Sequence, residues 1–243
     1  MQQRVIVNGA FGKMGVVACE TLHKHPEFEL VARLGRDDDL AATISRTRAQ
    51  IVIDLTRADC VYENSLTIIK EGAHPIIGTS GLLAEQIDVL QKACDEHQLG
   101  GLIVPNFSIS AVLMMRFAAI AASFLPDVEI IETHHPQKLD APSGTAIKTA
   151  DVIAAHRTID SSPPALKELL PGARGAIHHD IRIHSLRLPG TLARQDVIFG
   201  QMGETLTITH NTIDRISFMP GMMLCCQKVG QLTGLHYGLE HIL

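Results

Sequence analysis

Two histidines, a lysine and a Ser-Gly-Thr run crowd into one short stretch of this chain. It reads Glu129-Ile130-Ile131-Glu132-Thr133-His134-His135-Pro136-Gln137-Lys138-Leu139-Asp140-Ala141-Pro142-Ser143-Gly144-Thr145-Ala146. The apolar opening predicts a strand over 128–133 that delivers His134 and His135 into a polar loop. An imidazole there can exchange a proton near neutral pH, and Lys138 adds a positive charge. Pro142 and Ser143 then mark the start of a helix reaching about residue 156, with Ser143 as its N-cap. A helix start bearing Ser143, Gly144 and Thr145 presents backbone N–H groups and two hydroxyls, which suits a carboxylate. No metal is expected. Adjacent residues on a strand point to opposite faces, so His134 and His135 do not share one ion. A second pair, His178-His179 followed by Asp180, falls in a loop-like region and reads as solvated or structural.

A second chemical feature lies near the start. Gly9-Ala10-Phe11-Gly12-Lys13-Met14-Gly15 follows a short apolar strand and opens a helix. Glycines at such a junction let backbone N–H groups approach a pyrophosphate at the positive end of the helix. The spacing is G-x-x-G-x-x-G, one residue off the usual dinucleotide pattern. At the end of the second predicted strand, Gly35 stands where an acidic residue would hold the adenosine ribose, and Arg36 is placed to meet a 2′-phosphate. Asp37, Asp38 and Asp39 read equally well as a solvated turn.

These residues need a frame, and the hydrophobic pattern supplies it. Strands are predicted over 4–8, 28–34, 50–55, 75–78 and 102–104, with helices over 13–25, 59–70 and 83–97. Such alternation predicts a doubly wound, Rossmann-like parallel sheet covered on both faces. The rhythm then changes. An apolar helix over 110–124, read as buried, precedes the 128–133 strand and the helix at 144–156. A loop rich in Ser and Pro follows near 161–175, then strands near 181–186, 196–201 and 205–210, the last two a hairpin. This half reads as an α+β substrate domain. The expected division is 1–107 for dinucleotide binding and 108–217 for substrate, with 218–243, largely helical, returning to the first.

Composition narrows the class. The 243 residues carry a formal charge of -5, no Trp and two Tyr, which argues against nucleic-acid binding. The apolar run ending at Leu125 is too short for a bilayer and is broken by Arg116. Five cysteines without a C-x-x-C pair suggest reduced thiols and a cytoplasmic protein.

The run from His134 to Ala146 resembles the signature of the 4-hydroxy-tetrahydrodipicolinate reductases, also called dihydrodipicolinate reductases. Asp54-Leu55-Thr56, Gly78-Thr79-Ser80-Gly81 and Pro105-Asn106-Phe107-Ser108 agree, so the resemblance spans the chain. It implies reduction of 4-hydroxy-tetrahydrodipicolinate by NADPH or NADH, in diaminopimelate and lysine synthesis. Gly9, Ala10, Phe11, Gly12, Lys13, Met14 and Arg36 would hold the cofactor. Gly78, Thr79, Ser80, Pro105, Asn106, Phe107 and Ser108 would line its nicotinamide end. His134 would donate the proton, assisted by Lys138, with His135, Lys138, Ser143, Gly144 and Thr145 on the substrate carboxylates. The resemblance also implies a homotetramer joined through sheets of the second domain. The chain departs from the pattern at Pro136-Gln137, at Ala193-Arg194-Gln195 in place of Gly-Glu-His, and in a short 36–51 connection. An oxidoreductase for another small amino or keto acid is the alternative reading. A sensor that only binds dinucleotide would have no need of the 134–145 residues.

Overall fold

In a computed structural model, residues 2–158 and 167–243 are described. Of the Ser/Pro-rich loop expected over 161–175, residues 161–166 lie outside them, and 167–175 carry no helix or strand. The chain begins β1 (Gln3–Asn8), α1 (Lys13–Lys24), β2 (Phe28–Leu34), α2 (Leu40–Thr47), β3 (Ile51–Asp54), α3 (Val61–Lys70), β4 (His74–Ile77), α4 (Ala84–Glu96) and β5 (Gly100–Ile103). Next come α5 (Ile109–Ala122), β6 (Asp127–His134), α6 (Gly144–His156), β7 (Ala176–His178), β8 (Ile181–Arg187), β9 (Ala193–Gln201) and β10 (Glu204–Thr212). It ends with α7 (Met219–Lys228) and β11 (Gly234–Tyr237). Two compact units emerge: Met1–Ile109 with Arg215–Leu243, and Ser110–Asp214.

The first unit is built on one six-stranded sheet in the order β11-β5-β4-β3-β1-β2. Every pairing in it is parallel. Its central strands are continuous apolar runs: Val5, Ile6 and Val7 in β1 and Val52 and Ile53 in β3 are fully buried. A strand buried on both faces needs helices on both sides, which the intervening α1 to α4 provide. The chain moves from β1 outward to β2 and then crosses back to β3. The loops after β1 and β3 therefore diverge, and a crevice opens at the carboxyl ends of the strands.

Two elements here are absent from the sequence pattern. Helix α2 is short and rich in β-branched residues, so its propensity is weak. It forms because Asp39 accepts from the Ala42 N–H at its start and Ile44 packs beneath Leu34 and Val52. β11 adds the edge strand beside β5, after a helix that stops sooner than residue 233.

The second unit has a mixed sheet in the order β10-β9-β6-β8-β7. Only β6 and β8 pair in parallel. Ile130, Val197, Phe199, Ile181 and Ile183 form one face, packed against Ala118 and Ala122 of α5 and Ala146, Ala150 and Ile153 of α6. Small alanines let the helices lie close to the sheet. Helix α5 is only partly sunk into this core: Phe117 and Ile120 stay exposed along its other side, as does Phe124 just beyond its end. β9 starts at Ala193, so Ala193-Arg194-Gln195 is strand, and buried Gln195 donates to Thr149 at 2.7 Å. The opposite sheet face carries Glu129, Ile131, Arg182, His184 and Ile198 around a depression of about 470 Å³.

Candidate functional site

In the first unit, the residues after β1 form a cradle in which two glycines leave no room for a side chain. Gly9 has φ +82°, and a Cβ there would collide with the Leu55 carbonyl. A Cβ on Gly15 would strike the backbone of Gly9 and Ala10, so α1 could not lie so close to the strand. Gly12 is the N-cap of α1 and has no capping side chain, which leaves the first N–H groups of Lys13 and Met14 for an anion. Beneath them, buried Asp54 ties three strand ends together. Its carboxylate accepts from Asn8 at 3.0 Å, Thr56 at 2.7 Å, Asn64 at 3.0 Å and Thr79 at 2.8 Å. A cavity of about 670 Å³ beside the loop is lined by Gly9, Phe11, Gly12, Gly35, Arg36 and Asp38, among others.

Gly35, Arg36 and Asp38 mark one end of that cavity. The Asp38 carboxylate accepts from the Gly35 N–H at 2.7 Å, and Asp39 caps α2. Two of the three aspartates thus order the turn and the helix start while staying exposed to solvent. A Cβ on Gly35 would lie 3.7 Å from Asp38 Oδ2. Asp38 therefore brings a carboxylate to the place where the strand end itself lacks one. Phe11 is exposed and sits under the Arg33 guanidinium, 5.3 Å from its ring centre. Gly78, Thr79 and Ser80 follow β4, and Pro105 to Ser108 follow β5, all at the carboxyl edge of the sheet. Gly78 has no room for a Cβ, because the Phe107 ring and Leu55 already lie against it. Asn106 turns its side chain back to accept from the Ser108 N–H at 2.9 Å.

In the second unit the centre of the arrangement is a residue that motif reading passed over, Glu132. It lies on the core face of β6, fully buried. His134 Nδ1 donates to it at 2.5 Å, and Arg187 grips both oxygens at 3.0 and 2.9 Å. The Ser143 N–H adds a longer contact of 3.3 Å. Burial pushes this carboxyl upward, but the bonds from His134, Arg187 and Ser185 outweigh it and hold it down to about 2. An ionised Glu132 fixes the proton on Nδ1 of His134, so Nε2 is the atom left for chemistry. Arg187 also donates to the Asp140 carbonyl at 2.6 Å, fastening the loop that carries Lys138.

A carboxyl lowered by folding stabilises the fold above its unfolded value and loses that contribution as pH falls toward the folded one. For Glu132 the window runs from about 4.5 down to about 2. The full contribution is on the order of 3 kcal/mol. Acid denaturation of the wild type between these limits should be steeper than that of Glu132→Gln. Parallel acid titrations followed by circular dichroism test this; matching slopes would show that Glu132 does not titrate there.

The other expected residues fall around this core. Lys138 Nζ is clamped by both Asp140 oxygens at 2.8 and 2.7 Å. That contact is also the main reason the Asp140 carboxyl is lowered. His135 Nδ1 is buried and finds no hydrogen-bond partner among the described residues. Ser143 is the N-cap of α6: its hydroxyl accepts from the Ala146 N–H at 3.2 Å, and its own N–H is committed to Glu132. The next N–H groups of the first turn belong to Gly144 and Thr145. No heavy atom lies within 4 Å of a Cβ placed on Gly144. His134, Lys138, Ser143, Gly144 and Thr145 are thus gathered at one end of the second unit's sheet. The signal for Glu132 was present, as a charge two residues from Ile130 on the core-facing side of a strand.

The family described as "Dihydrodipicolinate reductase, N-terminus" matches residues 3–107, and "Dihydrodipicolinate reductase, C-terminus" matches residues 110–243. The 4-hydroxy-tetrahydrodipicolinate reductase of Legionella pneumophila (strain Corby) is 65% identical over 243 residues, covering 100% of both chains. That of Coxiella burnetii (strain Dugway 5J108-111) is 51% identical with the same coverage. Among solved structures, the dipicolinate-bound dihydrodipicolinate reductase from Paenisporosarcina sp. TG-14 superposes with a TM-score of 0.91 at 40% identity, covering 100% of each chain. The glycine cradle after β1, the Glu132–His134 pair and the start of α6 thus sit in a chain that these two family models cover almost end to end. The chain belongs to the dihydrodipicolinate reductase family.

Proposed function

We propose that this protein reduces 4-hydroxy-tetrahydrodipicolinate to tetrahydrodipicolinate with a nicotinamide cofactor, a step of diaminopimelate and lysine synthesis. The observation that carries the reading is the Glu132–His134 pair beside Lys138 and the α6 start, within a chain of this family. The cofactor fits the first unit because the Gly9 and Gly15 cradle excludes any Cβ. Bound there, it supplies the hydride. Lys13 and Met14, next to Gly12, offer N–H groups to its pyrophosphate, and Gly78, Thr79, Ser80 and Pro105 to Ser108 flank its reacting end.

In the second unit, the Gly144 and Thr145 N–H groups, with the Ser143 and Thr145 hydroxyls, take one substrate carboxylate. Lys138, released from Asp140, takes the other, and His135 contributes its unpartnered Nδ1. The reaction exchanges the substrate's 4-hydroxyl for hydrogen, so that hydroxyl must leave as water and a hydride would add at the carbon that bore it, conjugate to the C=N bond. A proton held at His134 Nε2 would neutralise the charge that reaches the ring nitrogen. The carboxylate binding is mainly positional; the protein brings charge and orientation to chemistry the cofactor performs. Among the described residues no helix is long and apolar enough to cross a membrane, and all five cysteines are free. The half-open sheet face around Ile131 and Ile198 supports assembly into a homotetramer through the second unit.

The test is NADPH and NADH oxidation in the presence of the product of dihydrodipicolinate synthase. Consumption of neither would overturn the reading. Cofactor choice is a finer part of it. Arg36 offers a permanently charged donor to a 2′-phosphate, worth roughly 1.5–3 kcal/mol, while Asp38 can accept from ribose hydroxyls. Both cofactors should bind, NADPH more tightly, and Arg36→Ala should weaken NADPH alone. Fluorescence titration of both cofactors decides it: tighter NADH in the wild type, or equal losses in the variant, would exclude this role for Arg36.

A further inference from the structure

A second cluster of ionisable side chains lies in the second unit, apart from the reaction described above. His178 ends β7, and the two residues joining it to β8, His179 and Asp180, both have positive φ, 50° and 59°. This is the backbone of a tight hairpin turn, in which asparagine and glycine are the comfortable occupants. Here it brings two adjacent imidazoles together, with ring centres 4.3 Å apart. Both reach Asp151 of α6: Nε2 of His178 lies 2.7 Å and Nε2 of His179 lies 3.3 Å from the same oxygen, Oδ1. One ligand atom from each of the three residues lies within 4.8 Å of those of the other two.

We propose that Asp151, His178 and His179 form a binding site for a borderline divalent cation, with zinc as its best fit. A tetrahedral zinc ion with bonds of ~2.0–2.1 Å sets its donor atoms about 3.3 Å apart. The His179–Asp151 separation already has that value, and the His178–Asp151 contact opens to it by a small side-chain rotation. Two imidazole nitrogens and one carboxylate oxygen suit zinc, copper or nickel, whereas calcium and magnesium seek oxygen alone. The three side chains are 39, 55 and 42% exposed in the order His178, His179, Asp151, so an ion enters without opening the fold and water completes its shell.

The position gives the ion a structural task. β7 is a three-residue edge strand, hydrogen-bonded in the sheet through β8 alone among the described residues. An ion bound by both the turn and α6 clips this edge to the helix that begins with Ser143. The competing account is a plain hydrogen-bonded cluster, in which each ring donates its proton to Asp151. The two accounts differ in what zinc does.

The experiment uses the full chain, stripped with a chelator and titrated with zinc sulfate against a chromophoric competitor. A saturable site of one zinc per chain is expected, and saturating zinc should raise Tm by a few degrees. His178→Gln, His179→Gln and Asp151→Asn should each weaken zinc by at least about tenfold and abolish the Tm rise. These side chains are partly exposed, so the metal-free variants should melt close to the wild type. If Asp151→Asn misfolds, the histidine variants carry the test. The chain has 13 histidines, so His134→Gln serves as the control and should keep the site. Magnesium should not compete. No saturable binding, undiminished affinity in the folded histidine variants, or loss of the site in His134→Gln instead would overturn the proposal.

Discussion

Replacing His134 with glutamine is expected to lower kcat by roughly a hundredfold or more, with NADPH affinity little changed. Glutamine keeps an amide that can still donate to Glu132, so the loop should hold its shape. What disappears is a ring nitrogen that can carry and give up a proton. The wild-type ring is held at 2.5 Å by Glu132, which turns Nε2 outward without freedom to search. Glu132→Gln should therefore also fall mainly on kcat, by a smaller factor, because the ring remains but its orientation and tautomer are no longer imposed. The cofactor cradle belongs to the other unit and should be untouched by either change. Steady-state rates with fluorescence titration of NADPH separate the two effects. Turnover within a few-fold of wild type in His134→Gln would move the proton donor elsewhere.

The second large effect concerns stability. Arg187→Met should cost about 3–5 kcal/mol, because it leaves the buried Glu132 carboxylate without its main counter-charge. The guanidinium holds both Glu132 oxygens and the Asp140 carbonyl at once, so its loss loosens β6, β8 and the Lys138 loop together. Pairing it with Glu132→Leu should recover part of the loss, since an apolar pair no longer strands a charge in the core. Thermal and urea unfolding of the two single variants and the double variant give the coupling. Simple additivity, or a cost for Arg187→Met below about 1 kcal/mol, would mean that the pair behaves like a surface ion pair.

Much of this arrangement was legible in residue order, and the remainder depended on pairings that order alone does not reveal. The strands β1 to β4 announce themselves as apolar runs, and Pro142-Ser143 marks the start of α6 because an N-cap is a local device. Glu132 was readable in principle: in a period-two strand it shares a face with Val128 and Ile130, where a charge demands a partner. That the partner is Arg187 follows from the parallel register of β6 with β8, in which His134 lies opposite Arg187. No spacing rule supplies a pairing across more than fifty residues. Asp38 is similar on a smaller scale. The acid sought at the strand end is missing at residue 35, and a turn three residues long returns it from Asp38. Helix α2 escaped notice because tertiary packing of Ile44, rather than propensity, sustains it.

The edge strand β11 gives the chain an order of assembly. Residues 234–237 cover β5 in the first sheet, yet they are synthesised after all of the second unit. That unit is continuous, from Ser110 to Asp214, and can close as soon as it leaves the ribosome. The earlier sheet must wait, with the backbone of β5 bare along one side and able to pair with a neighbouring nascent chain. The half made first is therefore finished last, and a ribosome stalled before residue 234 would release a molecule that is sound in its second unit and adhesive in its first.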